Sequence, residues 1–155
     1  MKSEAIWKST VSVQDFFLSI RIILEGFQMT DQEIQEIKHV VEEAYIRGIH
    51  GEQDKALIDM GFHPAFEMLV LDQNEVEKVD VPSWLQRIEA MKQENPELWS
   101  SKTNHEFKLI DVAGSAAVVK LDVYKGVTFF STDFMLLYKF EDGWKVVSKV
   151  FSVQR

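Results

Sequence analysis

Apolar positions first follow a helical period. Val13, Phe16, Phe17, Ile20, Ile23, Leu24 and Phe27 recur three and four apart, which predicts one amphipathic helix. Ser12 with Asp15 supplies its start and Gly26 its stop. Such a stripe docks on the body of a protein or on a second subunit. Its polar face is not basic, which argues against a membrane-surface helix. A second helix opens at "TDQE", where Thr30 and Glu33 have capping-box spacing. It sets Ile34, Ile37, Val41, Ala44 and Tyr45 on one face and ends near "RGIHG". A short helix follows in "GEQDKALIDMGF", with Ala56, Leu57 and Met60 inward. A third substantial helix is predicted from Pro82 to Glu94, with Trp84, Leu85, Ile88 and Met91 inside and "ENP" closing it.

Elsewhere the period is two. "HPAFEMLVLDQNEVEKVDV" reads as two strands around a "DQN" turn, with Pro64 at the first strand's entry. From His105 the chain is all strand: "HEFKLIDV", "SAAVVKLDVYKG", "VTFFSTDFMLLYKF" and "WKVVSKVFSVQ". The "EDG" between the last two suits a three-residue hairpin loop with Gly143 left-handed. Helices first, then a hairpin, then an antiparallel meander means α+β, with a sheet long enough to curl around helices.

At 155 residues the chain is one domain's worth, and 46% apolar content with eleven Phe and four Trp makes it a packed globular protein. A net charge of −8, with no cluster of Lys and Arg, excludes a phosphate-tracking nucleic-acid surface. The chain has no cysteine, which excludes disulfides, thiolate metal sites and a cysteine nucleophile. No stretch is apolar enough to span a membrane. "VSVQDFFLSIRIILEGF" is interrupted by Gln14, Asp15, Arg21 and Glu25 and lacks a signal-peptide cleavage pattern. A cytoplasmic protein with neither membrane nor nucleic-acid partner is the expectation.

Two segments carry a resemblance. They are "EEAYIRGIHGEQDKALIDMGFHPAF" and the closing "TDFMLLYKFEDGWKVVSKVFS", which frame residues 30–155. They resemble the nuclear transport factor 2-like superfamily (SnoaL-like), and within it the putative lumazine-binding family. The resemblance implies a cone-shaped, curved antiparallel or mixed sheet with three packed helices. It also implies a domain over 30–155, an extra amphipathic N-terminal helix over 1–29, and an alternative start at Met29. It further implies a small-molecule pocket between curved sheet and helices, in a binding protein or in an isomerase-, cyclase- or dehydratase-like enzyme. A homodimer and a small apolar or aromatic ligand follow on the same footing. The alternative reading is a non-catalytic dimeric module that associates through the outer face of the sheet. For that face the strand pattern offers the apolar row Met135, Leu137, Val147 and Phe151.

By resemblance, pocket-facing positions supply the chemistry. Asp133 and His63 are the candidate catalytic groups, and Tyr45, Trp84, Asp122, Tyr124 and Lys149 the candidate ligand contacts. Counted through the hairpin, Asp133 lies opposite Phe151 and diagonally from Lys149. Two roles are open to it: an ion pair that holds two strands in register, or a desolvated base tuned by the lysine. His63, where helix gives way to strand, would cap helix carbonyls or stand at the pocket mouth. His39, His50 and His105 are scattered without metal-ligand spacing, so no metal site is expected. No phosphate-binding loop, nucleophile elbow or other cofactor motif is present, so no cofactor is expected.

Overall fold

The computed structural model describes residues 11–153, less the side chains of residues 27–29. Phe27 of the expected stripe and the side chain of Met29 therefore lie outside the described residues, as do residues 1–10 of the expected extension. The chain divides into two units, Met1–Glu33 and Ile34–Arg155.

In the first unit Ser12 and Asp15 cap a helix reciprocally. Asp15 donates its N–H to the Ser12 hydroxyl at 3.0 Å, and its carboxylate accepts from the Ser12 N–H at 3.3 Å. The helix does not stop at Gly26. It runs unbroken as α1 (Val13–Val40), and Thr30, expected as a cap, instead turns its hydroxyl back onto the Gly26 carbonyl at 3.0 Å. A single glycine in a helix costs only about 1 kcal/mol against alanine. The apolar side chains Val13, Phe16, Phe17, Ile23 and Leu24 are exposed.

In the second unit α1 continues into a π-helical stretch, Val41–Glu52. Then come α2 (Lys55–Gly61), β1 (Phe62–Asp72), β2 (Glu75–Val79), α3 (Val81–Glu94), α4 (Pro96–Ser100), β3 (Thr103–Ala113), β4 (Ala116–Lys125), β5 (Thr128–Phe140) and β6 (Gly143–Ser152). Asp54, Asp80 and Asn95 each accept backbone N–H bonds that start α2, α3 and α4. The Asn95-Pro96 pair thus ends one helix and begins a short second one. On α2 the inward residue is Ile58; Ala56 and Met60 are exposed, contrary to the sequence expectation. Seven residues make about two turns, too few for the apolar period to pick a face.

The six strands form one sheet in the order β2-β1-β6-β5-β4-β3, antiparallel except where β1 lies parallel to β6. Register slips interrupt the β1–β6, β3–β4, β4–β5 and β5–β6 pairings. Such bulges bend strands and increase twist, as a sheet wrapped on helices requires. Along β4 the inward side chains are Ala117, Val119, Leu121, Val123 and Lys125, and along β5 Ser131, Asp133, Met135 and Leu137. Met135, Leu137 and Phe151, expected on the outer face, therefore belong to the inner one. The outward positions of the last hairpin are Phe134, Leu136, Tyr138 and Val150. Alternation separates the two faces of a strand but does not say which one the helices cover.

The π-helical stretch packs tightly on α2. A Cβ on Gly61 would fall on the Ala44 Cβ and within 3.0 Å of a Val40 methyl. Gly61→Ala should therefore cost about 1–2 kcal/mol in a urea melt, although alanine favours helices. A neutral or stabilising result would mean that this contact gives way easily.

Candidate functional site

The inner face of the sheet changes character along its length. Over most of β4, β5 and β6 it is apolar, but at one end it carries Lys125, Ser131, Asp133 and Lys149. Antiparallel pairing gathers these residues: Leu121 faces Asp133, Asp133 faces Phe151, and Met135 faces Lys149. The polar group thus forms beneath the π-helical stretch and α3.

Asp133 is fully buried and accepts from three donors. These are the Tyr45 hydroxyl, in a short bond, the Ser131 hydroxyl at 3.0 Å and the Lys149 ammonium at 3.3 Å. Lys149 also donates to the Tyr45 oxygen at 3.1 Å, closing a triangle. Its Nζ lies 4.6–4.9 Å from the ring centres of Trp84, Tyr45 and Phe151, an aromatic cage for a cation. Burial, and then the charge and hydrogen bond of Asp133, raise the Tyr45 phenol well above its usual range, so it keeps its proton. Burial lowers the Lys149 ammonium while Asp133 holds it up.

Beside this cluster a cavity of about 440 Å³ opens. Met68 and Val70 of β1, Trp84, Ile88 and Met91 of α3, Trp99 of α4 and Phe130 of β5 give it apolar walls, with Arg87 also on its lining. Lys149, Ser131 and His50 are its buried polar lining. His50 stacks on Trp99 with ring centres 5.8 Å apart and meets Tyr45 edge-on at 4.7 Å. In π-helical winding, residues five apart succeed one another up the same side, whereas 3.6 residues per turn would carry the fifth well round the helix. The wide turn therefore sets His50 over the same part of the sheet as Tyr45. Burial first, then the charges of Lys125 and Lys149, hold the imidazole well below its usual range. It is neutral at pH 7, with one donor and one acceptor nitrogen.

A family model described as "Putative lumazine-binding" matches residues 32–152. The chain belongs to that family. The solved structures it resembles show the nuclear transport factor 2-like, cystatin-like fold. One is an NTF2-like protein of unknown function from Shewanella baltica, 24% identical, covering 80% of this chain and 95% of that one, with a TM-score of 0.61. A second, from Silicibacter pomeroyi, is 17% identical over 81% of this chain and 98% of that one, at 0.62. An NTF2-like protein with a cystatin-like fold from Novosphingobium aromaticivorans is 15% identical over 94% and 92%, at 0.56. No curated protein matches the chain.

In this member of the family, the structure brings Tyr45, Trp84, Asp133 and Lys149 together. It does not bring the other candidates to them. His63 lines a separate groove of about 710 Å³, stacked on Phe140 at 4.7 Å, with its Nδ1 accepting from the Ala65 N–H at 3.1 Å. It caps no helix: the Phe62 N–H bonds the Ile58 carbonyl instead. Asp122 and Tyr124 point to the other face of the sheet, where Asp122 accepts from Thr132 at 2.6 Å and Tyr124 meets Phe129 edge-on. The sequence reading weighs His50 only as a metal ligand and passes over Trp99 and Lys125. An α-helical period hides the Tyr45–His50 relation, and "ENP" reads as a helix stop although Asn95-Pro96 also starts the short helix that carries Trp99. Among the described residues, no group of His, Asp and Glu is arranged to hold a metal ion. No described helix is long and apolar enough to cross a membrane.

Proposed function

We propose that the protein binds a small, flat, largely apolar molecule in the cavity under α3. The observation that supports this most directly is an apolar, aromatic-walled space of about 440 Å³ whose polar lining includes a neutral buried imidazole and a caged lysine. That volume and that mixture of many apolar groups with few polar ones are typical of small-molecule sites. The family's description, "Putative lumazine-binding", names a ligand that is likewise small and flat.

If the site moves a proton, as an isomerase, cyclase or dehydratase does, His50 is the group placed to do it. Asp133 does not line the cavity, and its carboxylate already takes three donors. Its part is to fix Lys149 and Tyr45, and so to act on a ligand through Lys149, which lines the cavity. A second reading concerns association. Phe134, Leu136, Tyr138 and Val150 form an exposed apolar row on the outer face of β5 and β6. A second copy of the chain covering that row would make a homodimer that leaves each cavity intact.

Native mass spectrometry tests both readings in one spectrum. We expect a dimer, and each subunit to retain a small molecule or to take one up from millimolar 2-naphthamide, a neutral bicyclic probe. A chain that stays bare under both conditions would overturn the binding reading. A monomer at micromolar concentration would overturn the association reading and leave the first untouched.

A further inference from the structure

Two independent observations bear on what the cavity holds. The first is His50, buried in its wall, where neither ring nitrogen meets a hydrogen-bond partner among the described residues. Buried polar atoms are nearly always paired, so an imidazole on a cavity lining with both nitrogens unsatisfied points to an occupant with polar atoms of its own.

The second is the balance of charge. Lys125 is buried, with its ammonium 4.0 Å from the Trp99 ring centre, 2.8 Å from the Thr103 hydroxyl and 3.4 Å from the His50 carbonyl. No carboxylate pairs with it among the described residues. Its charge therefore stands one ring's thickness behind the cavity wall. Lys149 on the lining is balanced by Asp133, and Arg87 by Glu77. Three cations thus face two carboxylates around the cavity, and the excess charge sits in low-dielectric surroundings, where it acts most strongly. The chain as a whole carries −8, so the long-range field would not gather anions. Any preference for one must arise inside.

We propose that the occupant is a flat apolar monoanion, an aromatic carboxylate or an equivalent delocalised oxyanion, with its charged oxygen at Lys149 and His50. The inference rests on the binding reading above and narrows it to a chemical class. The ring system fills the space between Trp84 and Trp99. Both His50 nitrogens are turned out of the free volume, so a small rotation of the ring lets the oxygen take the N–H that the neutral imidazole has to give, and the uncompensated charge of Lys125 offsets the cost of desolvating the anion.

Isothermal titration with 2-naphthoate and its neutral isostere 2-naphthamide tests this, at physiological salt so that surface attraction is screened. Wild-type protein should bind the carboxylate about tenfold more tightly than the amide. Lys125→Met removes a charge that touches neither ligand and should narrow that preference to about threefold or less, with amide affinity unchanged. The charge-neutral pair Lys149→Met with Asp133→Asn, checked for folding by circular dichroism, should weaken the carboxylate further. If wild type binds the amide as well as the carboxylate or better, or if Lys125→Met leaves the preference intact, the anion assignment fails and the pocket reading survives. If neither probe binds at millimolar concentration, both fail together.

Discussion

Asp133→Asn should cost the protein about 3–5 kcal/mol of stability, more than any other single conservative change at the site. The carboxylate is the acceptor shared by the Tyr45 hydroxyl, the Ser131 hydroxyl and the Lys149 ammonium, and all of these lie away from water. Asparagine keeps the shape but presents a donor where an acceptor is needed, and it leaves a cation buried without its partner. Urea denaturation measures the loss. Adding Lys149→Met to the same chain should restore a large part of it, because the double variant removes the uncompensated charge. A base facing an open cavity would behave differently: its loss would leave the midpoint nearly unchanged. A cost below about 1 kcal/mol would therefore sink the structural reading of Asp133 and return it to the list of catalytic groups.

The second large effect has the opposite sign. Lys125→Met should stabilise the protein by about 2 kcal/mol at pH 7. Burial first, and then the charge of Lys92, lower the Lys125 ammonium to about 8. In the unfolded chain the same group titrates near 10.4. Between those values the unfolded chain holds more protons than the native one, so stability rises with pH across that window. Below about 8 both states are protonated, and the native state carries the full penalty of a buried charge. A titration lowered that far corresponds to a net penalty of roughly 2–3 kcal/mol on the charged form. The gain from methionine should accordingly shrink as pH rises towards 10. Comparing variant with wild type at each pH cancels the titration of every other group. A destabilised variant, or a gain that ignores pH, would show that Lys125 is better compensated than its partners suggest. A residue that lowers stability at neutral pH and lies one ring behind a cavity fits a role in that cavity.

Local rules made much of the fold legible. Ser12 and Asp15, Pro82 in the first turn of α3, and the two-residue period from His105 onward each act within a few positions, and each appears where the sequence placed it. The pairing of Asp133 with Phe151 also came out, although the turn differs from expectation. Phe140 pairs with Gly143 across a two-residue turn, and a bulge at Val147 restores the register further along. Sequence alone therefore determined an α+β chain, its meander, and an acid diagonal to a lysine on one face of a hairpin.

Only the tertiary structure decided which face that was. Both faces of β5 carry large apolar side chains, so alternation could not choose between Met135 with Leu137 and Phe134 with Leu136. The choice belongs to the helices that cover one of them, and that is a contact between residues far apart in the chain. The same holds for His50. Its approach to Tyr45 depends on the π-helical turn beside α2, where Gly48 and Gly61 let the two segments close on each other. A period read along the chain reports what neighbours in sequence prefer; the cavity is made by the elements that meet across it.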